Sequence, residues 1–111
     1  MIPELVRIGP LTYRVREQTP PEWLTNRGEG SIAGEIGYEQ QTIVLSKDLM
    51  PEYKELTLVH EITHGLLYNI GEHELRNNEA FVDRFSTALY QLMRDNPDLC
   101  KMFLNRTTGE N

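Results

Sequence analysis

Three observations predict an α+β fold. β-prone runs are confined to the residues before position 47, two long amphipathic helical patterns fill most of the remainder, and glycine, proline or asparagine marks each junction. With 111 residues the chain has room for one domain built on a single modest core, spanning 1–111.

Leu5 to Ile8 and Leu11 to Glu17 flank the turn pair Gly9-Pro10, and Tyr13, Val15 and Glu17 alternate with Arg14 and Arg16. The period of two predicts a hairpin or a pair of edge strands. Thr19-Pro20-Pro21 breaks the second strand, and the polar stretch Asn26 to Gly30 predicts a loop, with one helical turn around Trp23. Ser31 to Tyr38 and Gln41 to Ser46, on either side of Glu39-Gln40, read as a second hairpin.

From Pro51 to Ile70 the spacing predicts a long helix, with Pro51 suited to its first turn and Gly71 to its stop. Leu56, Val59, Thr63, Leu66, Leu67 and Ile70 mark its buried stripe. Asn77 and Asn78 are N-cap candidates for a second long helix running to about Asp95, with Phe81, Val82, Phe85, Ala88, Leu89, Leu92 and Met93 as its apolar stripe. Asn96-Pro97-Asp98 ends that helix, Leu99 to Leu104 predicts a short final one, and residues 105–111 are polar enough to fray.

Composition excludes several roles. A net charge of -6 opposes a sequence-independent grip on nucleic acid or an anionic membrane, so a protein or peptide is the expected partner. No apolar run approaches the roughly 18 residues of a spanning helix. The one cysteine, Cys100, has no partner within the chain for a disulfide, and Met1-Ile2-Pro3-Glu4 has neither the basic start nor the apolar run of a signal peptide. The expected location is a reducing cytoplasm.

The chemistry concentrates in His60-Glu61-Ile62-Thr63-His64. Residues four apart project from one helix face, so both imidazoles can converge on one ion. Glu61 lies about 60° around the helix from His64, where a carboxylate can lean over the ion without binding it. This is the arrangement of a zinc site carrying its own general base.

Two histidines leave a tetrahedral zinc short of protein donors, since a catalytic site takes three plus a water of lowered pKa. Glu79 is the first candidate for the third, because it opens the second helix, and Asp83 follows one turn later to accept the free ring N–H of a ligand histidine. His73 is the rival ligand, in a loop past Gly71. Its spacing differs from the metzincin pattern, which requires glycine and histidine where this chain has Leu67 and Ile70. His73, Tyr68 or Tyr38 could alternatively donate a hydrogen bond to the oxyanion of a tetrahedral intermediate.

With His60-Glu61-Ile62-Thr63-His64 followed by Glu79-Ala80-Phe81-Val82-Asp83, the chain resembles the gluzincins, zinc peptidases with H-E-x-x-H on one helix and a glutamate on the next. Its small size and the order of its elements are similar to the minimal members, the minigluzincins and the ImmA/IrrE-type metallopeptidases often encoded by phages and mobile elements. The resemblance covers roughly residues 34–93. It implies a zincin-like domain in which His60, His64 and Glu79 hold one zinc ion, Glu61 is the base, and Asp83 supports a ligand histidine. It also gives the second hairpin a role as an edge that pairs with an extended substrate, with Gly34, Glu35, Ile36 and Gly37 as the pairing strand. Gly34 and Gly37 would let a peptide backbone approach closely, or mark a bulge.

Zinc-dependent endopeptidase is therefore the expected activity. Two alternatives stand beside it. One is a non-catalytic, zinc-stabilised protein-binding module with a closed site of His60, His64, His73 and Glu79. The other is a SprT-like zinc hydrolase with His73 as the third ligand.

Overall fold

The computed structural model describes residues 1–19 and 33–106. The expected turn around Trp23 with its polar loop, the start of the third β-prone run at Ser31, and residues 107–111 lie outside the described residues.

Gly9, at φ 58°, turns the chain between β1 (Leu5–Ile8) and β2 (Leu11–Gln18), which pair antiparallel with Ile8 opposite Leu11. A second hairpin joins β3 (Gly34–Gly37) to β4 (Thr42–Ser46), with Ile36 opposite Ile43. Its turn holds Gln41 at φ 51°, an uncommon conformation for a residue with a Cβ. Two bonds to β2 fix it there: the Arg14 amide donates to the Gln41 carbonyl (2.9 Å), and Gln41 Nε2 donates to the Thr12 carbonyl (2.9 Å).

These bonds dock one hairpin on the other through a parallel pair, Val15 opposite Ile43, giving a mixed sheet in the order β1-β2-β4-β3. Both expected hairpins are antiparallel, the join between them is parallel, and β2 of the first is interior rather than an edge strand. Alternation along the chain predicts which side chains face inward, but not which strands of two hairpins meet. Parallel neighbours need a connection of a dozen or more residues, and the stretch between β2 and β4 is long enough. The inner face presents Tyr13, Ile43 and Leu45, which with Ile8 and Leu58 make the buried core.

Leu58 belongs to α1 (Pro51–Asn69), with Pro51 at its first turn as expected. Helix α1 lies between the sheet and a second long helix, so the band it buries is broader than one stripe and includes Thr57, Leu58, Val59, Glu61, Thr63, His64 and Gly65. Leu66 and Ile70, expected inside, are 41% and 67% exposed, because the sheet-facing side is centred on Leu58, Ile62 and Gly65. A Cβ at Gly65 would lie 2.8 Å from Ile8 Cδ1, so the glycine sets how closely helix and sheet approach. The hydroxyls of Thr57 and Thr63 donate to carbonyls one turn back, at Tyr53 (2.7 Å) and Val59 (2.8 Å), which removes the cost of burying them.

Gly71, at φ 78°, stops α1 in a Schellman turn: the Glu72 amide donates to the Leu67 carbonyl (2.9 Å) and the Gly71 amide to the Tyr68 carbonyl (3.1 Å). The segment after it, expected to be a loop, forms the short helix α2 (His73–Arg76). The Asn78 side chain then accepts from the Phe81 amide (3.1 Å) and caps α3 (Glu79–Asp95). At the other end of α3, the Tyr90 hydroxyl donates to Glu55 Oε1 of α1 (2.6 Å), and Arg94 reaches the same oxygen (3.1 Å). Pinned in this way, α3 buries Val82 and Ser86 against its neighbours, whereas Phe85, Leu92 and Met93 of the expected stripe are exposed, because one side of α3 is covered by α1 and no described element lies over the other. The chain closes with α4 (Pro97–Arg106), two residues longer at each end than expected. No helix among the described residues is long and apolar enough to cross a membrane.

Candidate metal centre

The Schellman turn and α2 reverse the chain so that the first turn of α3 comes back over the middle of α1. Glu79 lands on the two histidines: its Oε1 is 3.2 Å from His60 Nε2 and its Oε2 is 3.1 Å from His64 Nε2. One donor atom from each of the three residues lies within 4.8 Å of the others. Asp83, one turn further along α3, has Oδ1 3.0 Å from His60 Nδ1.

A carboxylate can only accept, so the contact with Asp83 places a proton on His60 Nδ1. In the neutral ring Nε2 then directs its lone pair at a Glu79 oxygen. Two acceptors at that separation repel unless a proton or a cation lies between them. A tetrahedral ion bound at about 2.0–2.2 Å by nitrogen and oxygen donors needs them about 3.4 Å apart, close to the nitrogen–oxygen spacings here. The donor set fits one metal ion, and among the described residues no fourth His, Cys, Asp or Glu joins the group.

Burial shapes the protonation of the site. Glu61 is 6% exposed, and burial first, then the charges of Glu79 and Glu35, pushes its carboxyl up to about 8. Burial also holds the His64 imidazole below its ordinary value, against the pull of Glu79, which favours the neutral ligand form. Because Asp83 fixes the tautomer of His60, Asp83→Ala is expected to weaken metal binding about 10–100-fold in competition with a chromogenic chelator. Unchanged affinity would reduce Asp83 to a carboxylate favoured by the helix dipole.

A cleft of about 470 Å³ is lined by the donors together with Glu61, Gly34, Glu35, Ile36, Tyr38, Arg76 and Asn77. A second space of about 270 Å³ shares Gly34, His60 and Glu61 with it and runs past Tyr53, Leu56 and Asp83 to Ser86 and Thr87. β3 is the edge strand beside both. A Cβ at Gly34 would lie 2.8 Å from both Thr57 Cγ2 and the Val44 carbonyl oxygen, so this glycine is required by the seating of β3 on α1. At Gly37 an added Cβ would meet the end of the Gln40 side chain, which can move.

Of the remaining expected residues, Tyr38 lines the cleft, while Tyr68 stacks on it (4.1 Å between centroids, 5° between planes) and is not part of the lining. His73 lies outside the donor group: it opens α2, accepts a hydrogen bond at Nδ1 from Arg76 Nε (3.3 Å) and sets its ring 6.0 Å from that of Tyr68. It is Arg76, at the other end of α2, that reaches the cleft. Nothing in the sequence marked Arg76, since its place depends on four residues being helical. No family model, curated protein or solved structure matches the chain.

Proposed function

We propose that the chain is a zinc-dependent endopeptidase of the gluzincin kind, with a zincin-like arrangement of sheet and helices. The observation that carries the reading is the convergence of His60, His64 and Glu79 within 4.8 Å, beside a buried Glu61 and an edge strand. Three protein donors leave a position open, the pattern of catalytic rather than structural zinc sites. A zinc ion held there supplies Lewis acidity, lowering the pKa of a water and polarising a carbonyl oxygen.

The chain's own residues do the rest. Glu61 removes a proton from the attacking water and delivers it to the leaving nitrogen of the scissile bond. To act as a base it must be ionised at neutral pH, and the positive charge of the ion offsets the burial and the acidic neighbours that otherwise keep it protonated. Gly34 to Gly37, paired on one side only with β4, offer free backbone groups to an extended peptide, which fixes the substrate with little demand on its side chains. In this reading Tyr38, which lines the cleft, donates to the oxyanion.

The test is direct. The protein loaded with one equivalent of zinc is incubated with unfolded proteins, and new N-termini are mapped by mass spectrometry. Cleavage is expected, lost on adding a chelator and regained on restoring zinc. A loaded protein that cuts nothing overturns the hydrolase reading in favour of a metal-stabilised binding module.

A further inference from the structure

Among the lysines and arginines of the described chain, Arg76 alone lines the two connected spaces around the metal donors. Its surroundings are acidic: Glu35, Glu61, Glu79 and Asp83 line the same spaces. Yet none of them pairs with it. The ion pairs among the described residues use Lys54, Arg94 and the two histidines, and Glu79 is turned to the histidines instead. A half-buried guanidinium without a counterion keeps most of the desolvation cost of a charge and gains no ion pair.

The side chain is nonetheless held in place. Its Nε donates to His73 Nδ1 (3.3 Å), and its guanidinium carbon lies 5.2 Å from the centroid of the Tyr38 ring and 5.5 Å from that of Tyr68. Those rings are themselves stacked, so the cation rests against a rigid aromatic surface. The backbone at Arg76 is fixed by its amide's bond to the Glu72 carbonyl (2.9 Å). Position and orientation are thus set before any ligand arrives, which lowers the entropy cost of binding. The terminal N–H groups of a planar guanidinium match the two oxygens of a carboxylate.

We propose that Arg76 anchors a carboxylate of the bound peptide, either its C-terminus or an Asp or Glu side chain, and so makes the cleft selective for acidic peptide segments. The proposal rests on the peptide-binding reading above and adds its substrate class. The anchor lies in the same cleft as the metal donors, so the recognised carboxylate falls within a few residues of the scissile bond. No other lysine or arginine among the described residues lines these spaces, and loss of the preference in Arg76→Gln separates the guanidinium from the zinc ion as the source of selectivity.

The experiment measures binding, in zinc-loaded Glu61→Gln protein so that nothing is consumed. Three forms of one short fluorescent peptide are compared by anisotropy: neutral with an amidated end, the same with a free C-terminal carboxylate, and the amidated peptide with single Gln→Glu changes. A carboxylate-bearing form is expected to bind about tenfold to a hundredfold more tightly than the neutral one. Whether the free end or a side chain produces the gain identifies the source of the carboxylate. Adding Arg76→Gln is expected to bring that form down to the neutral peptide's affinity, with zinc affinity unchanged. Equal binding of all three forms, no binding of any, or a preference that survives Arg76→Gln overturns the proposal. So does, in protein with Glu61 intact, a uniform loss of kcat in Arg76→Gln with peptide preference unaltered, which would make the residue an oxyanion donor. The peptide comparison needs no change at Arg76, so equal binding of the three forms overturns the proposal even where a variant folds poorly. If the wild-type protein cuts nothing while the carboxylate preference holds, the hydrolase reading fails and the anchor stands.

Discussion

Glu61→Gln is expected to lower kcat/KM for peptide hydrolysis by about 10²–10⁴-fold while the protein still binds one zinc ion. Glutamine keeps the size of the side chain and so the packing around a position that is 6% exposed. It removes the group proposed to take the proton from water. The zinc site is retained because the donor atoms come from His60, His64 and Glu79, and Glu61 is not part of that group; affinity falls only by what the Glu61 charge contributes beside the cation. Chelator competition and steady-state kinetics on the same preparation separate the two properties. Full activity in the variant would remove Glu61 from the chemistry, and loss of stoichiometric zinc binding would reassign it as a ligand.

The parts of this site that were legible in the sequence are those written in local spacing. His60 and His64 sit four apart on a helix whose limits, Pro51 and Gly71, are marked by residues with restricted or permissive backbones. Asn78 caps the next helix through its side chain, and that places Glu79 in its first turn. What was not legible depends on how elements meet. The parallel pairing of β2 and β4 rests on Gln41 reaching Thr12 across 29 positions, and no alternation encodes such a bond. Leu66, Phe85 and Leu92 satisfy helical periodicity as well as Leu58 does, yet burial goes to the residues that face a neighbour. Arg76 joins the cleft only because α2 forms between the two long helices, a segment too short to carry a periodic signal.

Glu61 is expected to take roughly 4–5 kcal/mol from the stability of the metal-free protein as pH rises from about 4.5 to 8, a contribution that Glu61→Gln is expected to abolish. The sign follows from where the proton resides. Glu61 has an ordinary value of 4.5 and is raised to about 8 in the folded chain by burial and by the charges of Glu79 and Glu35. Below 4.5 the carboxyl is protonated in both states, and its contribution is complete. Between the two values the unfolded chain releases a proton that the folded chain retains, so each pH unit favours unfolding by about 1.4 kcal/mol. Above 8 both states are ionised and the dependence ends. His64 acts in the opposite direction, because its lowered value makes stability fall as pH drops below 6.5. Glutamine at position 61 leaves the His64 dependence in place, so the difference between wild-type and variant curves isolates Glu61, and a constant offset from the amide does not disturb its slope. Urea unfolding in the presence of a chelator, repeated across this pH range, gives both curves. Saturating zinc should flatten the wild-type slope, since a cation beside Glu61 favours its ionised form at the pH values where the bare site protonates it. Parallel curves for wild type and variant would show that Glu61 is ionised in the metal-free fold, and the base would then need no help from the ion.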